Sequence, residues 1–354
     1  MKTEMTMKKF QIKNLMMATV ATGLLMTSCN KDVPDPEPLP KPPIPTGNTI
    51  GQVITNDTTY SYLLAAVNRA GLADALFTQT LNFTVFAPNN AAFRASGIPS
   101  IAVINSLPVT TLQPLIQYHV LGGKVPAAGI PETFPNLQAL TLFSPPGSPA
   151  PFVRLSNFPS RRGSQAWVNN IPVTQADIQA SNGVIHSVAR VVSPPSQTLS
   201  ALINADTALT FLRAAITRAD SGQTGLNRLD SVMNLPIGPN LTIFAPTNAA
   251  FRALLPALGL PPTTGAFNFL PVQTVRAIVS YHGLGTRVFS PNIPASNLAV
   301  PTLLTASLPG TTLTLNSTTG VKGLANATPA GFVAVDRHAT NGTLHVVNQV
   351  LRFQ

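Results

Sequence analysis

The residues of this chain best suited to chemistry are five histidines, four of which recur in a fixed order. His119 follows Tyr118 and His282 follows Tyr281, while His186 and His345 trail the pairs Asn182-Gly183 and Asn341-Gly342. Imidazoles near neutral pH can ligate metals or carry protons. A zinc centre, however, needs three or four His, Cys or acidic ligands. Each half of the chain offers two such histidines, with His338 a third in the second half only, and Glu132 is the single glutamate beyond residue 47. The expectation is therefore that the imidazoles pack beside the core and bond to backbone groups, with neither metal nor cofactor. No G-x-S-x-G elbow or phosphate-binding loop is present. Acids are too sparse for the paired carboxylates of a glycosidase. No catalytic residue is assigned, and the chain is not expected to be an enzyme.

Binding chemistry is better supplied. Arg154, Phe158, Arg161, Arg162 and the only tryptophan, Trp167, fall within fourteen positions in RLSNFPSRRGSQAW. Guanidinium and aromatic groups in such a loop suit contacts with saccharide or protein. The simpler expectation is a hairpin whose Trp167 anchors a sheet, and contact through Arg154, Arg161, Arg162 and Trp167 is the alternative.

These residues are positioned by elements that the sequence writes twice. FTVFAPNNAAFR at residues 83–94 returns as LTIFAPTNAAFR at 241–252, and the Tyr-His and Asn-Gly…His landmarks follow each in the same order. The offsets are 158 for Phe86/Phe244, 163 for His119/His282 and 159 for His186/His345. That spacing exceeds the roughly 20–50 residues of a solenoid repeat and fits a duplicated domain. SYLLAAVNRAGLADAL and ALTFLRAAITRAD carry apolar residues at helical spacing, as do VTTLQPLIQYHV and PVQTVRAIVSYHG. NFTVFAP and LTIFAP are short strands ended by proline. Asn at the start of NNAAFR, and again in TNAAFR, reads as a helix N-cap. Alternating segments such as AWVNNIPV, TLTLNS and FVAVD then lead to Asn-Gly hairpin turns. Helices followed by strands give an α+β class.

The landmarks together (T-[VI]-F-A-P-x-N-x-A-F, the Tyr-His pair, and N-G-x-[IL]-H) resemble the fasciclin domain, a family of extracellular adhesion modules. The resemblance spans about residues 48–354. It implies two wedge-shaped β-sandwiches, each with a helical layer, at 48–195 and 196–354, and attachment rather than turnover. It also implies a structural role for Phe86, Pro88, Phe93, Tyr118, His119, Asn182, Gly183 and His186, and for Phe244, Pro246, Phe251, Tyr281, His282, Asn341, Gly342 and His345. The chain departs from its relatives in two places. The helix after the FAP motif lacks their acidic residue. An Asp-Ile pair linked to integrin contact in animal relatives survives as Asp177-Ile178 but becomes Asp336-Arg337 in the second copy, so no integrin role carries over and Asp177 is expected to cap a turn.

Composition points outward from the cell. Hydrophobic residues make up 44% but charged ones only 10%, against about 25% in an ordinary soluble protein. The 34 prolines favour short elements and a β-rich chain. A formal charge of +10 suggests nucleic acid, yet the basic residues are scattered where such binding needs a concentrated face, so none is expected. Residues 1–28 have a basic start and an apolar run of about 15, shorter than the roughly 20 of a membrane span and suited to a secretory leader. LLMTSC resembles a bacterial lipobox ending at the only cysteine, Cys29, whose acylation would anchor the chain. Residues 29–47 are a proline-rich tether. The expected setting is the outer membrane of a Gram-negative bacterium, with a Bacteroidetes-like charged start after Cys29. The membrane is met only through the lipid, and the partners are envelope or extracellular proteins or polysaccharide. A glycan-capturing accessory lipoprotein is the alternative.

Overall fold

Proline and glycine cut this chain into short elements, and the cuts fall at equivalent places in the two copies. The structure is a computed structural model describing residues 46–78, 81–132, 134–145 and 153–354. The leader, Cys29 and the tether up to residue 45 lie outside the described residues.

In the first copy, α1 (Ile50–Asn56), α2 (Ser61–Arg69) and α3 (Ala73–Phe77) precede strand β1 (Phe83–Pro88). The predicted single helix over SYLLAAVNRAGLADAL is broken into α2 and α3 because Gly71 takes a left-handed φ of 69° between them. Then come α4 (Asn90–Ala95), α5 (Ile101–Ser106), α6 (Val109–Tyr118) and β2 (Val120–Gly122). Strands β3 (Ala139–Leu140), β4 (Ser156–Asn157), β5 (Pro159–Arg162), β6 (Gln165–Val168), β7 (Ile171–Ala180) and β8 (Gly183–Val188) complete it. The second copy runs α7 (Leu199–Ala205), α8 (Thr210–Ala219), α9 (Leu229–Met233), β9 (Leu241–Pro246), α10 (Asn248–Leu254), α11 (Val272–Tyr281) and β10 (Gly283–Leu284). It ends in β11 (Leu298–Pro301), β12 (Thr312–Asn316), β13 (Gly320–Gly323), β14 (Phe332–Ala339) and β15 (Gly342–Val347).

The fold is α+β, with two fasciclin-like units in tandem. The β-rich expectation needs correction, since more described residues lie in helical segments than in strands. Short helices of five to ten residues satisfy the proline content as well as strands do, with Pro108 and Pro271 each placed just before a helix.

At the centre of each copy the first and last motifs pair as parallel strands, β1 with β8 and β9 with β15. The register aligns Phe86 with His186 and Phe244 with His345. All four central strands are buried along their whole length, because each has a core on either face. Phe83, Val85 and Ala87 point to a core shared with the helices, while Phe86 points to a second core with Tyr118, Leu121, Val168 and Val188. The duplicate puts Leu241, Ile243 and Ala245 against helices and Phe244 against Tyr281, Leu313 and Leu315. The first copy has a six-stranded sheet ordered β2-β1-β8-β7-β6-β5 and a separate β3-β4 pair, whereas the second divides into β10-β9-β15-β14 and β11-β12-β13.

Gly183 shows why the Asn-Gly pair recurs. Its φ is 152°, and a Cβ there would lie 2.0 Å from the Phe83 carbonyl oxygen. The hairpin closes between Ala180 and Gly183, so its central residues are Ser181 and Asn182, one position before the predicted Asn-Gly turn. Asn182 is held there by its side chain: Oδ1 accepts the Ile50 N–H at the start of α1, and Nδ2 donates to the Leu76 and Thr78 carbonyls. Asn341 repeats this with Leu199 and Met233.

Candidate functional site

The recurrent histidines are fully committed to backbone groups. His119 ends α6, and its Nδ1–H donates to the Leu115 carbonyl at 2.7 Å while Nε2 accepts the Val192 N–H at 2.8 Å. His282 does the same between Ile278 (2.8 Å) and Leu351 (2.9 Å). Each imidazole thus ties the end of a helix to the segment leaving the last strand. Both are buried, and burial pushes each down from 6.5 to about 4, outweighing the bond to the helix carbonyl. His186 accepts the Asp177 N–H on Nδ1 and donates from Nε2 to the Val125 carbonyl at 2.9 Å. His345 bridges Asp336 and Val288 in the same way. Burial lowers both of these as well. Their rings stack on Phe86 and Phe244 at centroid distances of 5.6 Å. With both ring nitrogens of all four engaged, none is placed to serve a substrate. Among the described residues, no three His, Cys, Asp or Glu side chains converge as a metal site.

Asp177 and Asp336 occupy matching bulges with φ of 59°. The Asp177 carboxylate accepts the Ala127 N–H at 2.9 Å, and Asp336 accepts the Ser290 N–H at 2.7 Å. Each therefore caps a short 3₁₀ turn that lies earlier in the chain, at Ala127–Gly129 and Ser290–Asn292. Arg337 pairs with Asp206 of its own copy. One pair of residues escaped the sequence reading. Asn90 and Asn248, one position after the true caps Asn89 and Thr247, reach back to an earlier helix. Their Oδ1 atoms accept the Tyr62 and Phe211 N–H groups, and their Nδ2 atoms donate to the Thr58 and Thr207 carbonyls. The doubled N-N and T-N dipeptides were the available signal.

One opening for a partner lies where the copies meet, within one compact unit. Each copy lends an apolar side chain to the other: Phe134 packs against the inner core of the second, and Ile237 against that of the first. Arg162 Nη2 donates to the Pro291 and Ile293 carbonyls at 2.7 and 2.8 Å. Asn136 bonds to Asn292, and Asn240 to Gln138. Beside these contacts opens a cleft of about 520 Å³, inside the roughly 300–1,000 Å³ of small-ligand sites. One wall is Glu132, Phe134, Arg161 and Arg162; the other is Pro291, Asn292 and strand β11. Both β5 and β11 are edge strands of their sheets. Arg161 pairs with Glu132 at 2.5 Å and stays partly exposed.

The four residues singled out for binding therefore separate. Arg161 and Arg162 line the cleft, the latter largely spent on the seam. Arg154 is exposed at a second, smaller cavity. Trp167 sits half-buried on β6 opposite Ser160 and lines neither. The expected hairpin is present as β5–β6.

The model of the Fasciclin domain matches residues 58–194 and 208–353. The chain belongs to the fasciclin family. Fasciclin domains are known from cell-adhesion proteins and are non-enzymatic modules. Among its relatives, protein sll1483 of Synechocystis sp. is 35% identical over 150 residues, covering 42% of this chain and 74% of that protein. Porcine transforming growth factor-beta-induced protein ig-h3 is 32% identical over 154 residues, covering 43% of this chain but only 20% of that protein. A solved FAS1 domain pair from the insect cell adhesion molecule Fasciclin I covers 84% of this chain and 98% of its own, with 15% identity and a TM-score of 0.33.

Proposed function

We propose that this tandem fasciclin protein is a lipid-anchored adhesion or binding protein of a Gram-negative envelope. In this reading it is held by an acylated Cys29 on the tether of residues 29–47, with its two modules at 48–195 and 196–354. The observation that carries the reading is the cleft built by both copies, set beside histidines that are wholly occupied in holding the fold. A partner there gains from surface burial on Phe134, the prolines and β11, and gains orientation from Arg161, Glu132, Asn136 and Asn292. The partner is an envelope or extracellular protein, or a polysaccharide.

The mixture of flat apolar faces with a guanidinium–carboxylate pair and two amides also favours a second reading, capture of glycan by an accessory lipoprotein. Retention of the lipid-free chain on envelope preparations, compared with an Arg161→Ala/Glu132→Ala variant, tests the cleft. Adhesion predicts retention that the double variant loses without a saccharide preference. A sharp, saturable preference on a glycan array supports the second reading instead. Equal retention of parent and variant defeats both assignments to this cleft. Labelling with palmitate, and its loss in Cys29→Ala, tests the anchor.

A further inference from the structure

At position 287 the two copies use one site differently. The first copy carries Lys124 there, exposed and bonded to Gln179. The second carries Arg287, which is only 3% exposed because the seam covers it. A buried guanidinium ordinarily needs a counter-charge. None of the ion pairs formed among the described residues includes Arg287. Its Nη1 and Nη2 donate to the carbonyls of Ala339 and Thr340, and its plane lies 4.7 Å from the Phe158 ring of the other copy. Nε–H has no hydrogen-bond partner. Burial pulls the guanidinium down to about 10.

A cavity of about 30 Å³ adjoins it, lined by Gln138, Arg154 and Ser156 from the first copy and by Asn240, Arg287 and Thr340 from the second. Thr340 Oγ1 is a second buried atom without a partner. This space is enough for one small ion or about two waters. Its lining holds two cations, an amide pair and two hydroxyls, and no carboxylate. We propose that this cavity is a halide site, in which a chloride-sized anion neutralises Arg287 and pins the first copy to the second. Nothing in the adhesion reading requires it, so the two stand or fall separately.

The test is thermal unfolding of the chain from residue 46 to 354 in sodium chloride, sodium bromide and sodium gluconate at equal ionic strength. Gluconate is too large for the cavity. Chloride and bromide are expected to raise Tm saturably by about 3 °C or more over gluconate, a shift set by mass action on a native-state site. General salt effects on protein solubility are linear and persist in any variant. The saturable part is expected to vanish in Arg154→Gln/Thr340→Val, which leaves Arg287 in place, and bromide should give an anomalous scattering peak between Arg287 and Thr340. A Tm that follows salt linearly and equally in parent and variant overturns the proposal. So does electron density for ordered water alone at Arg287 in crystals grown from bromide.

Discussion

Mild acid should unfold this protein through its two helix-capping histidines. Between the unfolded value of 6.5 and the folded value of about 4 for His119 and His282, the native state binds fewer protons than the unfolded chain. Stability therefore rises with pH across that window, is complete above 6.5, and is lost as pH falls toward 4. Taking the pH from 7 to 4.5, each histidine withdraws ~2.4 kcal/mol, or ~5 kcal/mol for the pair, from the 1.36 kcal/mol carried by each pKa unit. His186, His345 and His338 are lowered in the same direction by burial and add to the loss. Such an amount is a large share of the roughly 5–15 kcal/mol that holds a domain folded. The cause is concrete: a protonated Nε2 on His119 would face the Val192 N–H donor to donor. Urea unfolding at pH 7, 5.5 and 4.5 measures it, with a His119→Gln/His282→Gln variant that is weaker at pH 7 but has a shallower pH slope. Equal stability at pH 7 and 4.5, or a full slope surviving in the double variant, refutes the reasoning.

His186→Ala removes the partners of the Asp177 N–H and the Val125 carbonyl and leaves a cavity beside Phe86. It should cost about 3–5 kcal/mol in urea unfolding, and a variant that melts like the parent yet loses its ligand would reverse the structural assignment. Gly183→Ala drives a methyl into the Phe83 carbonyl and should abolish folding of the first copy, read as loss of protease resistance at residues 48–195. Asn341→Ala removes the acceptor of the Leu199 N–H at the start of α7 and frees the Met233 carbonyl, for a loss of about 2–4 kcal/mol in denaturant titration. Arg162→Ala leaves the Pro291 and Ile293 carbonyls without their donor and should split a single calorimetric transition into two. A transition that stays single argues that Phe134 and Ile237 suffice for the seam.

Much of each copy was legible because local signals and burial agree. The strand FTVFAP alternates its core faces, Asn89 caps α4 through the Ala92 N–H, and the Tyr-His and Asn-Gly…His landmarks mark the chain segments that meet at the centre. The misreadings have physical reasons. A hairpin rule places Asn-Gly at the turn centre, but here the centre falls one residue earlier, at Ser181-Asn182, because Asn182 is tied to α1 and Gly183 is needed for close approach to β1. Asn248 looked like an ordinary cap because its real partners, at Thr207 and Phe211, lie on an earlier helix far back in the chain. The seam was hidden altogether. Phe134 and Ile237 belong to irregular segments without periodicity, and the exchange of Lys124 for Arg287 reads as a conservative change until a neighbouring domain covers the site.

That seam alters how two copies can act together. Independent modules on a flexible chain raise effective concentration for almost any spacing of partner groups. Here the copies exchange side chains and share a guanidinium clamp, so their outer faces are held at one separation. A multivalent ligand gains only if its own spacing matches, while a single ligand in the shared cleft touches both copies at once. Divergence between the duplicates fits the second arrangement. The motif pairs His119/His282, His186/His345, Phe86/Phe244, Phe93/Phe251 and Asn182/Asn341 are buried in both copies. One difference falls where the copies meet: Lys124, exposed in the first copy, against the buried Arg287 of the second. A duplicated scaffold with a non-duplicated junction places its specificity at the junction, which is where ligand contacts should be sought first.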